Sequence, residues 1–203
     1  MEKIDYKKTL KHLYKPSSKA PEIIDVPKMN FLCINGKGDP NTSTEFSNAV
    51  EALFSVSYTL KFMVKKGGNP VDYGVLPLEG LWWAEDMAQF SVESKDNWMW
   101  TLMIMQPDFI VKELVFEAIE KSRQEKELPA LPGLRFESFR EGQCAQIMHI
   151  GPFSGEGPTI EKLHRFISDQ GFNRRDKHHE IYLSDIRRGN PANWKTVIRQ
   201  PIM

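Results

Sequence analysis

The sequence has no excess of either charge sign, few cysteines and no long hydrophobic run. Its 203 residues include 27 Lys and Arg and 27 Asp and Glu, so the formal net charge is zero. Nucleic-acid and polybasic membrane surfaces need excess positive charge. No apolar run approaches the roughly 18–20 residues of a membrane span, and residues 1–16 are too charged for a secretory signal. We therefore expect a cytoplasmic protein with no membrane span and no direct nucleic-acid binding.

Cysteine is scarce, and its placement argues against disulfides and metal sites. Cys33 and Cys144 each lie in an apolar, strand-like run without a CxxC spacing, so buried reduced thiols are favoured. Residues 178–180 read His-His-Glu, which differs from the HExxH pattern of helical zinc sites. Residues 36–38 read Gly-Lys-Gly and lack the third glycine of a dinucleotide fingerprint. We expect no metal site and no dinucleotide-binding loop.

The pattern of apolar residues, prolines and glycines predicts an α+β chain. Pro27 is expected to separate two short strands. Thr42 and Glu45 form a possible capping box for the first helix, whose end is assigned to a left-handed glycine at 67–68. The predicted strands cover 22–26, 31–35, 75–83, 98–106, 134–139, 144–150, 179–184 and 194–199, and the predicted helices follow residues 42, 107 and 157.

Two segments of the chain resemble each other. Trp100–Pro107 and Trp194–Pro201 share Trp, Ile, Gln and Pro at identical spacing, and they fall at the same place in two predicted strand-strand-helix-strand-strand units. We therefore predict one pseudo-symmetric domain over 1–203, with a first repeat over 22–127 and a second over 134–203. The concavity between such repeats is the expected place for a ligand.

Aromatic residues are abundant, with five Trp and twelve Phe. Four tryptophans fall between positions 82 and 100, and methionines accompany them. Packing in the core is the simple interpretation, whereas a ligand cleft would use the same rigid faces and adaptable thioethers. Strand alternation cannot place Trp82 and Trp83 on one face, so at least one of them should not line a pocket. The residues concerned are Trp82, Trp83, Trp98, Trp100, Met87, Met99, Met103 and Met105.

The last strands contain a candidate ionisable site. Alternation over 177–184 puts His178, Glu180 and Tyr182 on one side of the strand and the apolar residues on the other. If the apolar side faces the helices, Glu180 and Tyr182 face the ligand cleft. Desolvation would raise the proton affinity of a carboxylate among aromatics, which could bind a cation or act as a general base. The alternative is a solvent-exposed acid. For His149, a structural hydrogen-bonding role is favoured.

Six segments together resemble the GyrI-like small-molecule-binding proteins, and more narrowly their stand-alone branch, which includes the cyclopropanoid cyclopropyl hydrolases. PLEGLWW over 77–83 is the most specific of them. The resemblance implies a duplicated strand-helix-strand-strand fold, GyrI-like or SOUL-like, with a pseudo-twofold axis and a ligand cleft between the repeats. The other segments are Tyr14-Lys15-Pro16, Gly36-Lys37-Gly38-Asp39-Pro40, Trp100–Pro107, His149-Ile150-Gly151-Pro152-Phe153 and His179-Glu180-Ile181-Tyr182.

The resemblance also implies residue roles. Glu180 would occupy the aromatic cleft and take a proton from a water that opens a strained cyclopropane, without a metal or organic cofactor. Tyr73 or Tyr182 would position that water or hydrogen-bond the carbonyl that gains charge. The substrate-binding residues would be Trp82, Trp83, Trp98, Trp100, Met103, His149, Phe153 and Tyr182.

Two hypotheses about function remain open at this point. One is an enzyme that hydrolyses planar electrophilic xenobiotics. The other is a non-catalytic module that sequesters hydrophobic cations or modulates a protein partner such as DNA gyrase.

Overall fold

The computed structural model describes residues 2–68, 70–85, 97–185 and 189–203. Contacts divide the chain into two compact units: unit 1 consists of residues 1–9 and 29–139, and unit 2 of residues 10–28 and 140–203. Both units are mixed α+β. Residues 10–28, which precede the predicted second repeat by more than one hundred positions, therefore belong to unit 2. The predicted duplication and pseudo-twofold symmetry stay predictions.

Strands and helices are interspersed along the chain. The strands are β1 (Glu2–Ile4), β2 (Glu22–Lys37), β3 (Val71–Tyr73), β4 (Leu78–Trp83), β5 (Met99–Gln106), β6 (Arg135–Ile150), β7 (His178–Tyr182) and β8 (Lys195–Pro201). The helices are α1 (Tyr6–Thr9), α2 (Lys11–Tyr14), α3 (Thr44–Lys66), α4 (Lys112–Glu125) and α5 (Gly157–Asp169). Short 3-10 turns occur at Leu131–Gly133, Phe153–Gly155 and Pro191–Asn193.

In unit 1, β5 is the central strand. It pairs antiparallel with residues 30–37 of β2 and with β4, which gives the order β2-β5-β4. The long helix α3 packs on β5 and on α4, and it buries an apolar stripe that includes Leu53, Val56 and Leu60. A separate parallel pair joins β1 to β3.

In unit 2, β8 is the central strand. It pairs antiparallel with residues 144–150 of β6 and with β7, so the order is β6-β8-β7. Each unit therefore places its last strand between the other two. Helix α5 packs Leu163 and Ile167 against Ile147 and Ile198 of the strands, and this cluster is the apolar core of the unit.

Two pairs of predicted strands are continuous in the structure. The prediction that Pro27 separates two strands is wrong, because β2 runs from Glu22 to Lys37. Pro27 lies outside the segment that pairs with β5, so its missing N–H costs no hydrogen bond there. The strands predicted over 134–139 and 144–150 are likewise one strand, β6. Gly142 has a φ of +74°, which lets this strand continue through a local irregularity.

The ends of α3 also differ from the prediction. Ser43, one residue after Thr42, is the N-cap, and its side chain accepts a hydrogen bond from the backbone N–H of Phe46. Gly67 ends the helix in an extended conformation with a φ of −76° rather than a left-handed one. The two cationic residues before it, Lys65 and Lys66, lie in the last turn as expected for the carbonyl end of a helix dipole.

Both cysteines are buried and free, as predicted. Burial, the largest cause, together with the nearby Glu137 carboxylate raises the pKa of the Cys33 thiol to about 12. Burial likewise raises the pKa of Cys144. Over the ranges that the structure describes, no helix has both the length and the apolar character that crossing a membrane requires.

Candidate functional site

Strand β7 presents a hydrogen-bonded carboxylate. His178, Glu180 and Tyr182 project from the same side of the strand, as alternation predicted. His178 Nε2 donates to Glu180 Oε1 at 3.0 Å, and the Tyr182 hydroxyl donates to Glu180 Oε2 at 2.7 Å. The side chain of Glu180 is 15% exposed and that of His178 is 7% exposed. Each oxygen of this nearly buried carboxylate thus has its own donor.

These donors decide the protonation state of Glu180. Burial alone would raise its pKa, but the hydrogen bond and charge of His178, the Tyr182 hydroxyl and the charge of His179 outweigh burial, so the pKa is lowered. The sequence-based expectation of a raised proton affinity is therefore wrong. The sequence indicates that Glu180 is desolvated, but it does not show that His178 and Tyr182 both donate hydrogen bonds to its carboxylate.

Glu180 lies on the helical side of its sheet. The register places Glu180 opposite Ile198, which in turn lies opposite Ile147, so the three side chains share a face. Ile147 and Ile198 pack against α5. The prediction that the apolar side of β7 faces the helices and Glu180 faces away from them is therefore wrong. His179 and Ile181, on the other side, are almost completely buried.

Aromatic rings surround the Tyr182 end of this site. Phe153, in the turn before α5, is 37% exposed and packs on Tyr182 with ring centroids 5.6 Å apart and on Trp194 at 5.3 Å. His149 holds the same turn: its Nε2 donates to the Pro152 carbonyl at 3.2 Å, and its Nδ1 is 2.9 Å from the Thr159 hydroxyl. His149 thus makes the structural hydrogen bonds that the sequence favoured.

A buried ionic network lies on the opposite side of β7. His179 Nδ1 contacts Glu141 Oε1 at 2.9 Å, and Arg199 donates to Glu141 Oε2 at 3.3 Å. Arg199 also donates to Gln146 and to the Leu13 carbonyl. These side chains are at most 3% exposed. Burial opposes ionisation of Glu141, but His179 and Arg199 prevail and lower its pKa to about 2.

In unit 1 the residues that were predicted to line an aromatic cleft lie on two different faces of the sheet. Trp82 lies opposite Trp100 in the β4–β5 register, and Phe46 of α3 contacts both rings. Trp98 joins them, with its ring centroid 5.5 Å from that of Trp82. Trp83 and Met103 alternate to the other face, so Trp82 and Trp83 are separated as predicted. Met87 lies outside the described residues, and a ligand-binding role for this aromatic group stays a prediction.

Gly36 lies so close to the Trp100 ring that a side chain would not fit at this position. An added Cβ would lie 2.0 Å from the nearest ring carbon. We expect Gly36→Ala to lower the free energy of unfolding by about 1–3 kcal/mol, because the overlap forces backbone or ring displacement. Urea unfolding measures the change. Gly74→Ala is the matched control, since its Cβ meets nothing within 4 Å. Equal stability of the two variants would contradict this account.

Tyr73 ends β3 in unit 1 and is almost completely buried. Its ring contacts Phe109 at 5.5 Å, and its hydroxyl has no hydrogen-bond partner among the described residues. Burial, with a smaller contribution from Tyr6, raises its pKa. The hydroxyl that contacts Glu180 is that of Tyr182.

Two surface pockets of unit 1 are lined by residues other than the predicted site residues. One of about 490 Å³ follows residues 123–128 and the Leu131–Pro132 turn, and another of about 370 Å³ is lined in part by Asn35 and Asn48. Neither lining includes a predicted site residue. Within the described ranges, no group of three or more His, Cys, Asp and Glu side chains could hold a metal ion.

Sequence reasoning missed two parts of the site. His178 was placed beside Glu180 by alternation but was given no role, although its i, i+2 position on a strand was the available signal. The Glu141–Arg199 pair joins residues 58 positions apart. The available signal for it was the charged residue Arg199 directly after the apolar pair Val197 and Ile198.

A nearly buried carboxylate beside aromatic rings is a type of site that suits a compact organic ligand. The sequence profile of the GyrI-like small molecule binding domain matches residues 19–203. The chain therefore belongs to the GyrI-like family, as the sequence motifs indicated. Comparison with curated proteins gives no match.

Three crystal structures from Listeria innocua are similar over nearly the whole chain. An uncharacterized conserved protein is 41% identical, covers 98% of this chain and 100% of its own, and has a TM-score of 0.91. A hydrolase is 40% identical over 100% of both chains with a TM-score of 0.89. A further hydrolase is 39% identical over 98% of this chain and 100% of its own, with a TM-score of 0.86.

Proposed function

We propose that this protein binds planar hydrophobic small molecules at Glu180 and hydrolyses cyclopropanoid or similarly electrophilic toxins by adding water. The observation that carries the proposal is the Glu180 carboxylate, 15% exposed and hydrogen-bonded through both oxygens. An oriented carboxylate that stays ionised can accept a proton from water. The two similar hydrolases, 40% and 39% identical over essentially complete chains, support the proposed class of reaction.

The proposed reaction is balanced without a redox partner. The water oxygen bonds to a cyclopropane carbon while the adjacent C–C bond breaks, and the released electron pair moves through the conjugated dienone onto its carbonyl oxygen. Glu180 takes one proton from the water, and release of that proton through solvent to the former carbonyl oxygen gives the phenol and regenerates the carboxylate. Each carboxylate oxygen has a second lone-pair direction besides the one that accepts from His178 or Tyr182.

Tyr182 is the phenol that we assign to assist Glu180. The sequence left Tyr73 and Tyr182 as alternatives. Tyr182 donates to Glu180 at 2.7 Å and packs beside the partly exposed Phe153. Tyr73 has a buried hydroxyl, and its ring contact is with Phe109. Proximity to the carboxylate therefore favours Tyr182.

A binding module without catalysis is the second candidate. It is favoured by the lowered pKa of Glu180, which keeps a negative charge in a nearly buried position at neutral pH. Such a charge beside the faces of Tyr182 and Phe153 would complement a hydrophobic cation. In this case Glu180 would form an ion pair with the ligand rather than accept a proton.

A turnover measurement separates the two candidates. The wild-type protein is incubated with a duocarmycin-type compound, and the ring-opened product is quantified by chromatography. Product in molar excess over protein supports the hydrolase. Absence of product, together with quenching of tryptophan fluorescence by tetraphenylphosphonium, supports the binding module. If neither product nor quenching is found, both candidates are overturned.

A further inference from the structure

His178 is the neighbour of Glu180 to which no role has been assigned. Its Nε2 lies 3.0 Å from Glu180 Oε1, and both side chains are nearly buried. Its other ring nitrogen has no hydrogen-bond partner among the described residues. The imidazole is therefore directed at the carboxylate, which is its hydrogen-bond partner within the described part of the chain.

The hydrogen bonds from His178 and Tyr182 fix the orientation and the ionised state of Glu180, which a salt bridge on the surface would not do. A carboxylate that is nearly buried tends to take up a proton or to rotate toward water. One donor on each oxygen prevents rotation about the terminal torsion and favours the anion. Tyr182 secures Oε2, and His178 secures Oε1. Loss of the His178 donor would leave Oε1 without its protein partner.

Both charged and uncharged side chains surround Glu180 and His178. They include His179, on the opposite face of β7, and Lys177, the residue that precedes the strand. Helix α5 contributes His164, which acts electrostatically with His178 and contacts Arg174 at 3.0 Å. The residues facing this side of β7 from β8 carry no charge; they are Thr196, Ile198 and Gln200.

We propose that His178 is a positioning residue, which holds Glu180 as an oriented anion ready to receive a proton or a cationic ligand. The inference rests on the proposed function for its catalytic consequence only. The hydrogen bond, and its effect on Glu180, exist whether or not the protein turns over a substrate. His178 acts through Glu180, and its removal should change the pH at which the site works more than it changes the fold.

Carbon-13 NMR of the glutamate side-chain carboxyl groups tests the inference directly. The Glu180 signal is assigned by its loss in Glu180→Gln, and its titration is followed in the wild type, His178→Gln and His178→Asn. Both variants carry an amide, but only glutamine reaches the position of Nε2. We expect the Glu180 midpoint to move to higher pH in His178→Asn and to stay nearer the wild-type midpoint in His178→Gln.

Turnover provides a second readout. In His178→Asn the acid limb of kcat/KM should move to higher pH, with a loss of roughly tenfold on the acid side and little loss at the alkaline plateau. A purely structural role for His178 would lower activity equally at every pH. His178→Phe, which keeps the ring volume and lacks the donor, replaces His178→Asn if the latter does not fold.

The outcomes separate the inference from the proposed function. An unchanged Glu180 midpoint in the variant without the donor overturns the inference, even if the protein is a hydrolase. A shifted midpoint in a protein without turnover supports the inference and overturns catalysis. An equal shift in His178→Gln and His178→Asn also overturns it, because the donor would then not be the cause.

Discussion

Glu180→Gln is expected to lower kcat for a duocarmycin-type substrate by at least about 100-fold, since general-base catalysis contributes roughly 10²–10⁴. Glutamine keeps the size of the side chain, and its carbonyl oxygen can still accept a hydrogen bond from Tyr182. What it loses is the negative charge and the ability to take a proton. The measurement is product formation under saturating substrate, with thermal unfolding recorded in parallel.

Glu161→Gln is the matched control for this substitution. Glu161 is exposed on α5, in the same unit, and carries the same functional group. It should retain wild-type turnover. If Glu180→Gln turns over as fast as the control, Glu180 is not the base. If Glu180→Gln instead binds tetraphenylphosphonium more weakly while no variant makes product, the carboxylate serves to bind cations.

Glu141→Gln is expected to lower the free energy of unfolding by about 3–5 kcal/mol, because it leaves the buried Arg199 guanidinium without its carboxylate partner. The effect should depend on pH. The folded-state pKa of about 2 lies below the ordinary value of 4.5. Glu141 therefore contributes stability that is fully present above about pH 4.5 and is lost as the pH falls toward about 2.

Urea unfolding at neutral pH and near pH 3 measures both effects. Glu137→Gln, also on β6, is the control: Glu137 pairs with Arg135 at 2.7 Å, but both side chains are at least 39% exposed. Exposed pairs contribute about 0–1 kcal/mol. We expect Glu141→Gln to be the less stable variant at neutral pH and the difference to shrink in acid. Equal stability of the two variants at neutral pH would contradict the assigned role of Glu141.

Local patterns in the sequence predicted much of the fold and part of the site. Alternation with a period of two is a property of a single strand, and it correctly grouped Glu180 with Tyr182 and separated Trp82 from Trp83. The positions of the main helices follow from apolar spacing in the same local way. Whether β2 continues past Pro27 was harder to predict from the sequence, because it depends on where Pro27 lies relative to the segment that pairs with β5.

Properties that depend on partners from elsewhere in the chain were not accessible in this way. The sign of the Glu180 pKa shift depends on two donors whose orientation is known only in the structure. The side of β7 on which α5 packs depends on the register through Ile198 to Ile147. The Glu141–Arg199 pair joins two strands that are distant in sequence, so no local period could indicate it.

Two neighbouring residues of β7, His179 and Glu180, have unrelated structural roles. His179 belongs to the buried ionic network through Glu141, whereas Glu180 belongs to the candidate site with His178 and Tyr182. A deletion or insertion of one residue within this strand would exchange the two sets between faces. During divergence, this segment should therefore tolerate substitutions at its ends far better than changes of length.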